Sequence, residues 1–207
     1  MKYIKKYESK EEKEALATVN LAKYLEYLSK KRHETINIDI VKKLIEDGAD
    51  VNVHDKVNNY GSLLCMAATI GSLETVKLLV KKHARLNDTN SIGATAMYAA
   101  AHTGYFDIVK YLVEKGADFD ISNDSKVSPL ASAAFTKHID IAIYLLKKGA
   151  KVDNFFNINS KNTDYNFQKE FIKLYPTEFI NNVKDNFINN KIKKEFAHLF
   201  NANKYNL

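Results

Sequence analysis

A five-residue string returns three times along this chain. Gly48-Ala49-Asp50-Val51-Asn52 reappears as His83-Ala84-Arg85-Leu86-Asn87, as Gly116-Ala117-Asp118-Phe119-Asp120, and as Gly149-Ala150-Lys151-Val152-Asp153, at steps of 35, 33 and 33 residues. Two more strings keep the same phase. One is Ser62-Leu63-Leu64, Thr95-Ala96-Met97 and Ser128-Pro129-Leu130; the other is Ala67-Ala68, Ala100-Ala101 and Ala133-Ala134. A repeat of this length is one supersecondary unit that cannot bury its own apolar face, so stacked neighbours must bury it for one another.

Each unit reads as a helix pair. Ser62, Thr95 and Ser128 suit helix N-caps, and Pro129 falls at the first helical position, where its missing N–H costs nothing. The paired alanines of the first helix permit close approach. The second helix carries apolar residues at helical spacing: Leu73, Val76, Leu79 and Val80, then Ile108, Val109, Leu112 and Val113. Gly116 and Gly149 follow that helix, where a left-handed residue closes it. Only 7 Gly and 2 Pro in 207 residues also argue for helix over an all-β chain with many tight turns.

These residues resemble the ankyrin repeat, whose pattern runs Gly-x-Thr-Pro-Leu-His-x-Ala-Ala, Gly-His, Val-x-x-Leu-Leu and Gly-Ala-Asp-x-Asn. The best copies are Gly93 to Asp120 and Ser128 to Asp153. A shorter version, Leu21 to Leu25, Ile40 to Ile45 and Gly48 to Asp50, looks like an N-terminal capping repeat with an insertion near His33-Glu34-Thr35. The resemblance spans about residues 15–153 and implies an all-α ankyrin-repeat solenoid: a cap at about 15–52 and repeats at about 53–87, 88–120 and 121–153, within an array of residues 1–153. The departures are specific. The motif His is Cys65, Tyr98 and Ala131, the motif Pro is Leu63 and Ala96, and two extra residues lie between Asn52 and Ser62. His83 stands where a C-cap Gly is usual, and Lys137 where the inter-helix turn has Gly, so both face a positive φ.

Residues 154–207 change character, with 13 Asn among them, yet keep apolar stripes: Phe167, Phe171 and Leu174; Phe179, Val183, Phe187 and Ile188; Ile192, Phe196, Leu199 and Phe200. They read as three short helices forming a C-terminal cap or accessory segment. Leu174 to Ile180 also looks faintly like the opening of an F-box, which implies an alternative role as an adaptor recruiting a ubiquitin ligase.

Charge and chemistry narrow the function. The net charge of +6 sits at the two ends: residues 36–153 hold 14 basic and 14 acidic side chains. A neutral array argues against nucleic acid as the partner. No run is long and apolar enough to cross a membrane, and Met1 to Lys6 lacks the apolar stretch of a signal peptide. A single Cys excludes an internal disulfide and fits the cytoplasm, or a host cytosol if the chain is exported. There is no phosphate loop, no metal-binding spacing and no catalytic constellation, so no catalytic, cofactor or metal residue is assigned. Asp107 and Asp140 recur at second-helix starts, where they favour the dipole. An enzyme would have to hide its activity in residues 154–207. No feature demands an oligomer, so the chain reads as a monomer.

The resemblance implies a protein partner read by finger loops and late first-helix positions on a concave face. The finger residues are Asn58, Asn59 and Tyr60, then Ser91, Ile92 and Ala94, then Asp124, Ser125 and Val127. The helix positions are Thr69 and Ile70, His102 and Thr103, Phe135 and Thr136, with Tyr105 just past a turn glycine. Tyr60, Ile92 and Phe135 are large apolar groups at positions expected to face solvent, and Tyr60, His102 and Phe135 are expected on one face.

Overall fold

The computed structural model describes residues 9–31, 36–53 and 62–151. Among them are eight helices and no strand. They are α1 (Lys10–Lys30), α2 (Ile38–Glu46), α3 (Leu63–Ile70), α4 (Leu73–Lys81), α5 (Ala96–Thr103), α6 (Phe106–Glu114), α7 (Pro129–Phe135) and α8 (Ile139–Lys147). Residues 154–207, with their cap, F-box-like and enzymatic readings, lie outside the described residues, as do Asn58, Asn59 and Tyr60.

The caps form where the hydroxyls fall. Ser62, Thr95 and Ser128 accept bonds from the amides of Cys65, Tyr98 and Ala131 at 3.4, 3.2 and 3.1 Å. Helix α1 starts earlier than the expected cap, at Lys10. Ser9 and Glu12 make a reciprocal capping box, with each side chain accepting from the other's amide.

Consecutive helices pair, and the pairs stack. Helices α1, α3, α5 and α7 form an inner row in close contact, and α2, α4, α6 and α8 form a looser outer row. Side-chain size explains the difference. The inner row meets through Ala67, Ala68, Ala100, Ala101, Ala133 and Ala134, all buried. The outer row turns Val76, Leu79, Ile108, Leu112, Ile141 and Leu145 inward, also buried. One apolar core therefore runs through every described unit.

Polar bonds fix the register between units. The Asn52 side chain accepts from the amide of Arg85 at 2.8 Å and donates to the carbonyl of His83 at 3.1 Å. Asn87 accepts from the amide of Asp118, and Asp120 from that of Lys151, both at 2.9 Å. The recurrent Asn/Asp of the repeat thus ties each unit to the next. Within the cap, Thr18 of α1 accepts from the amide of Asp50 at 2.8 Å.

The turn residues show what the array needs from glycine. Gly71 and Gly104 both have left-handed backbones, and a Cβ on them would overlap the Tyr105 and His138 rings of the following unit. Lys137 holds the same turn at φ 65°, in the last described unit. His83 has φ 64°, as its position required.

Candidate functional site

The inner helices and finger loops share one side of the array, and two hollows lie there. The larger, about 460 Å³, is lined by Leu28, Ser29 and Lys31 from the end of α1, by Thr69 and Ile70 of α3, and by His102, Thr103 and Tyr105. The second, about 320 Å³, joins Glu26, Ser29 and Lys30 to Cys65, Met66, Thr69, Asn90 and Ser91. Five of the residues expected from sequence therefore meet in one hollow.

Repeat spacing sets the layout. Thr69, His102 and Phe135 stand one repeat apart on α3, α5 and α7. Along this row the character changes from hydroxyl to imidazole to an aromatic ring that is 40% exposed. His102 is held from two sides: Nδ1 lies 3.0 Å from the Ser132 hydroxyl, and its ring stacks on Tyr98 with centroids 6.0 Å apart. The hydroxyls of Thr69, Thr103 and Thr136 donate to the carbonyls of Cys65, Ala99 and Ser132 four residues back. Their protons therefore stay on the helix, and the hydroxyl oxygens keep only acceptor capacity.

Each described finger is folded by one asparagine. Asn90 accepts from the amides of Ile92 and Ala94, and Asn123 from that of Val127. The fingers are joined, since the Asp124 amide donates to the Ile92 carbonyl at 3.0 Å. Ser91, Ile92, Asp124 and Ser125 stand exposed at the tips. Ala94 does not belong with them. The Asn90 turn draws its amide in and leaves the side chain 2% exposed, so it cannot touch a partner. Val127 is half-buried against the core. Tyr105 has a structural duty, with its ring over Gly71 and one edge in the larger hollow.

The cap helix is the contribution that sequence reasoning missed. Glu26, Leu28, Ser29, Lys30 and Lys31 wall both hollows. The Ser9–Glu12 box and apolar spacing unbroken to Leu28 were the available signal.

The chemistry of this face is that of contact. Cys65 is buried, and burial pushes its thiol up to about 12, so the nucleophilic thiolate is suppressed. Its Sγ lies 3.5 Å from the carbonyl of Ala94, where it acts as a small packing group. Among the described residues no group of three or more His, Cys, Asp or Glu could hold a metal ion, and no helix is long and apolar enough to cross a membrane.

A repeat array of capped helix pairs joined by finger loops defines a class, and the family comparison agrees. The family model described as ankyrin repeats (3 copies) matches residues 29–123 and 64–156. The chain belongs to the ankyrin-repeat family, whose arrays generally mediate protein–protein interaction and are typically non-catalytic. No curated protein matches it.

Proposed function

We propose that this chain is a non-catalytic interaction module, an adaptor or effector, that takes a protein partner on its inner face and finger tips. One contrast between the two faces carries the reading. On the outer row, Phe106, Tyr111 and Tyr144 are partly buried, and lysine ammonium groups lie over their rings: Lys110 at 4.3 Å, Lys115 at 5.4 Å and Lys148 at 5.5 Å. Along α6 and α8 the lysines screen these rings from water. On the inner side, Ile92 is 54% exposed at a finger tip, beside hollows walled by preorganised side chains. Large apolar groups on a rigid surface are the kind of anchor from which interfaces draw most of their energy. Ser91, Ile92, Asp124, Ser125, Ile70, His102 and Phe135 form the contact surface in this reading.

The test uses paired baits of the full chain, wild type and Ile92→Ala/Phe135→Ala, in a lysate pull-down. Affinity for any captured protein is then measured with both baits. Both side chains are exposed, so circular dichroism should be unchanged. A partner held by wild type and weakened by about 1–4 kcal/mol in the variant supports the inner face. Equal retention by a folded variant overturns it.

A further inference from the structure

The larger hollow on the inner face carries a lysine with no acid beside it. Lys31, the C-cap residue of α1, is exposed, and its ammonium lies 5.8 Å from the centroid of the Tyr27 ring. Among the described residues Lys31 makes no ion pair, and no Asp or Glu lines this hollow. Lys30, which lines the smaller hollow, differs: its ammonium is bonded to Glu26 at 2.6 Å. The hydroxyls of the larger hollow have no proton to give. Ser29 donates to the carbonyl of Glu26 at 2.8 Å, and Thr69 and Thr103 donate to their own helices. The donors left to this hollow are the Lys31 ammonium, the Tyr105 phenol and the His102 ring.

His102 is held in one tautomer. The Ser132 side chain is 2% exposed, and among the described residues its hydroxyl has one bonding partner, Nδ1 of His102 at 3.0 Å. A proton on Nδ1 would be donated to Ser132 and would leave the buried hydroxyl proton without an acceptor, a costly arrangement. Ser132 therefore donates, Nδ1 accepts, and the neutral ring carries its proton on Nε2. The stack on Tyr98, with ring planes 8° apart, holds the ring in place. We infer, on the basis of the inner-face reading, that the larger hollow is a carboxylate subsite: an Asp or Glu side chain of the protein partner accepts from Nε2–H of His102 and pairs with the Lys31 ammonium. Charge selects that occupant. A bond between charged groups is about twice as strong as one between neutral groups, which favours a carboxylate over a carbonyl. The hollow has one formal positive charge, which a carboxylate balances and a phosphate would exceed. A basic side chain would meet Lys31 with no carboxylate to hold it.

Two measurements on the full chain test this. A long-range proton–nitrogen NMR spectrum at mildly alkaline pH reads the His102 tautomer. The proton is expected on Nε2, and Ser132→Ala should let both tautomers appear. A phage-displayed random peptide library is then selected on the immobilised chain. Binders should share an Asp or Glu, and changing it to Asn or Gln should weaken binding at least about 10-fold. That loss should vanish in Lys31→Met. Lys31→Glu should restore binding of the same peptide carrying Lys in place of its acid. Lys31 is exposed, so these variants keep the fold. A proton on Nδ1 overturns the inference. So do peptides whose acid is dispensable, or acid-dependent peptides that Lys31→Met holds as tightly as wild type. Peptides lost by Ile92→Ala/Phe135→Ala but indifferent to Lys31 overturn it and leave the inner-face reading standing. Peptides indifferent to both, or no binder at all, overturn both.

Discussion

Gly104 and Lys137 hold the same inter-helix turn one repeat apart. Both backbones are left-handed, at φ 86° and 65°. The surroundings differ. Against Gly104 lies the His138 ring of the next unit, close enough that a Cβ could not fit. Lys137 belongs to the last described unit. The fingers repeat the lesson: Gly93 at φ 71° lies against Asp124 of the next finger, while its counterpart Lys126 has φ 63°. At both sites glycine is held by the need for space, and the lysines show that the backbone angle alone can be tolerated. The third recurrent turn agrees. Gly116 and Gly149 have nothing within 4 Å of a built Cβ, and the equivalent position in the first full repeat is His83.

The largest effect should come from breaking that distinction at its tightest point. Gly104→Ala adds a Cβ against the His138 ring and keeps a positive φ on a residue that disfavours it. Overpacking and backbone strain together should cost about 2–5 kcal/mol. Gly116→Ala adds the same atom to open space and should cost only the backbone part, about 1–2 kcal/mol. Urea unfolding of the two variants measures the difference. Equal losses would mean that the angle, not the ring, holds the glycine.

The repeat made most of this fold readable in advance. Three strings in phase placed the helix pairs, and the hydroxyls of Ser62, Thr95 and Ser128 marked three helix starts that the bonds to Cys65, Tyr98 and Ala131 bear out. What escaped were contacts made across units, which no single repeat displays. The Asn52, Asn87 and Asp120 ladder was visible as a recurring letter but not as a bond to the next unit. The repeat pattern puts Ala94 among the finger contacts, whereas the Asn90 turn draws it inward. The cap helix breaks the period, so its share of the inner hollows is hidden from a repeat-by-repeat reading.

The ladder sharpens the comparison between units. Asn52 both accepts from Arg85 and donates to His83, whereas Asn87 only accepts from Asp118. Asn87→Ala should cost about 1 kcal/mol, and Asn52→Ala nearer 2 kcal/mol, since a net bond of this kind contributes about 0.5–1.5 kcal/mol. Chemical denaturation with matched single variants decides it. Identical losses would mean that water replaces the Asn52 donor bond to His83 without penalty.

The smallest effect is also the most discriminating, because its sign is at stake. If Lys137 is held only by tolerance of its backbone angle, Lys137→Gly removes strain in the folded state. It also loosens the unfolded chain, which opposes the gain by about 0.5–1 kcal/mol. The two contributions nearly cancel, so the expected change in urea unfolding is within about 1 kcal/mol of zero, slightly stabilising. A clear loss of stability would show that the Lys137 side chain makes a contact that glycine lacks. The turn would then be a built junction at the end of the array, and the contrast with Gly104 would be one of two occupied turns with different guests.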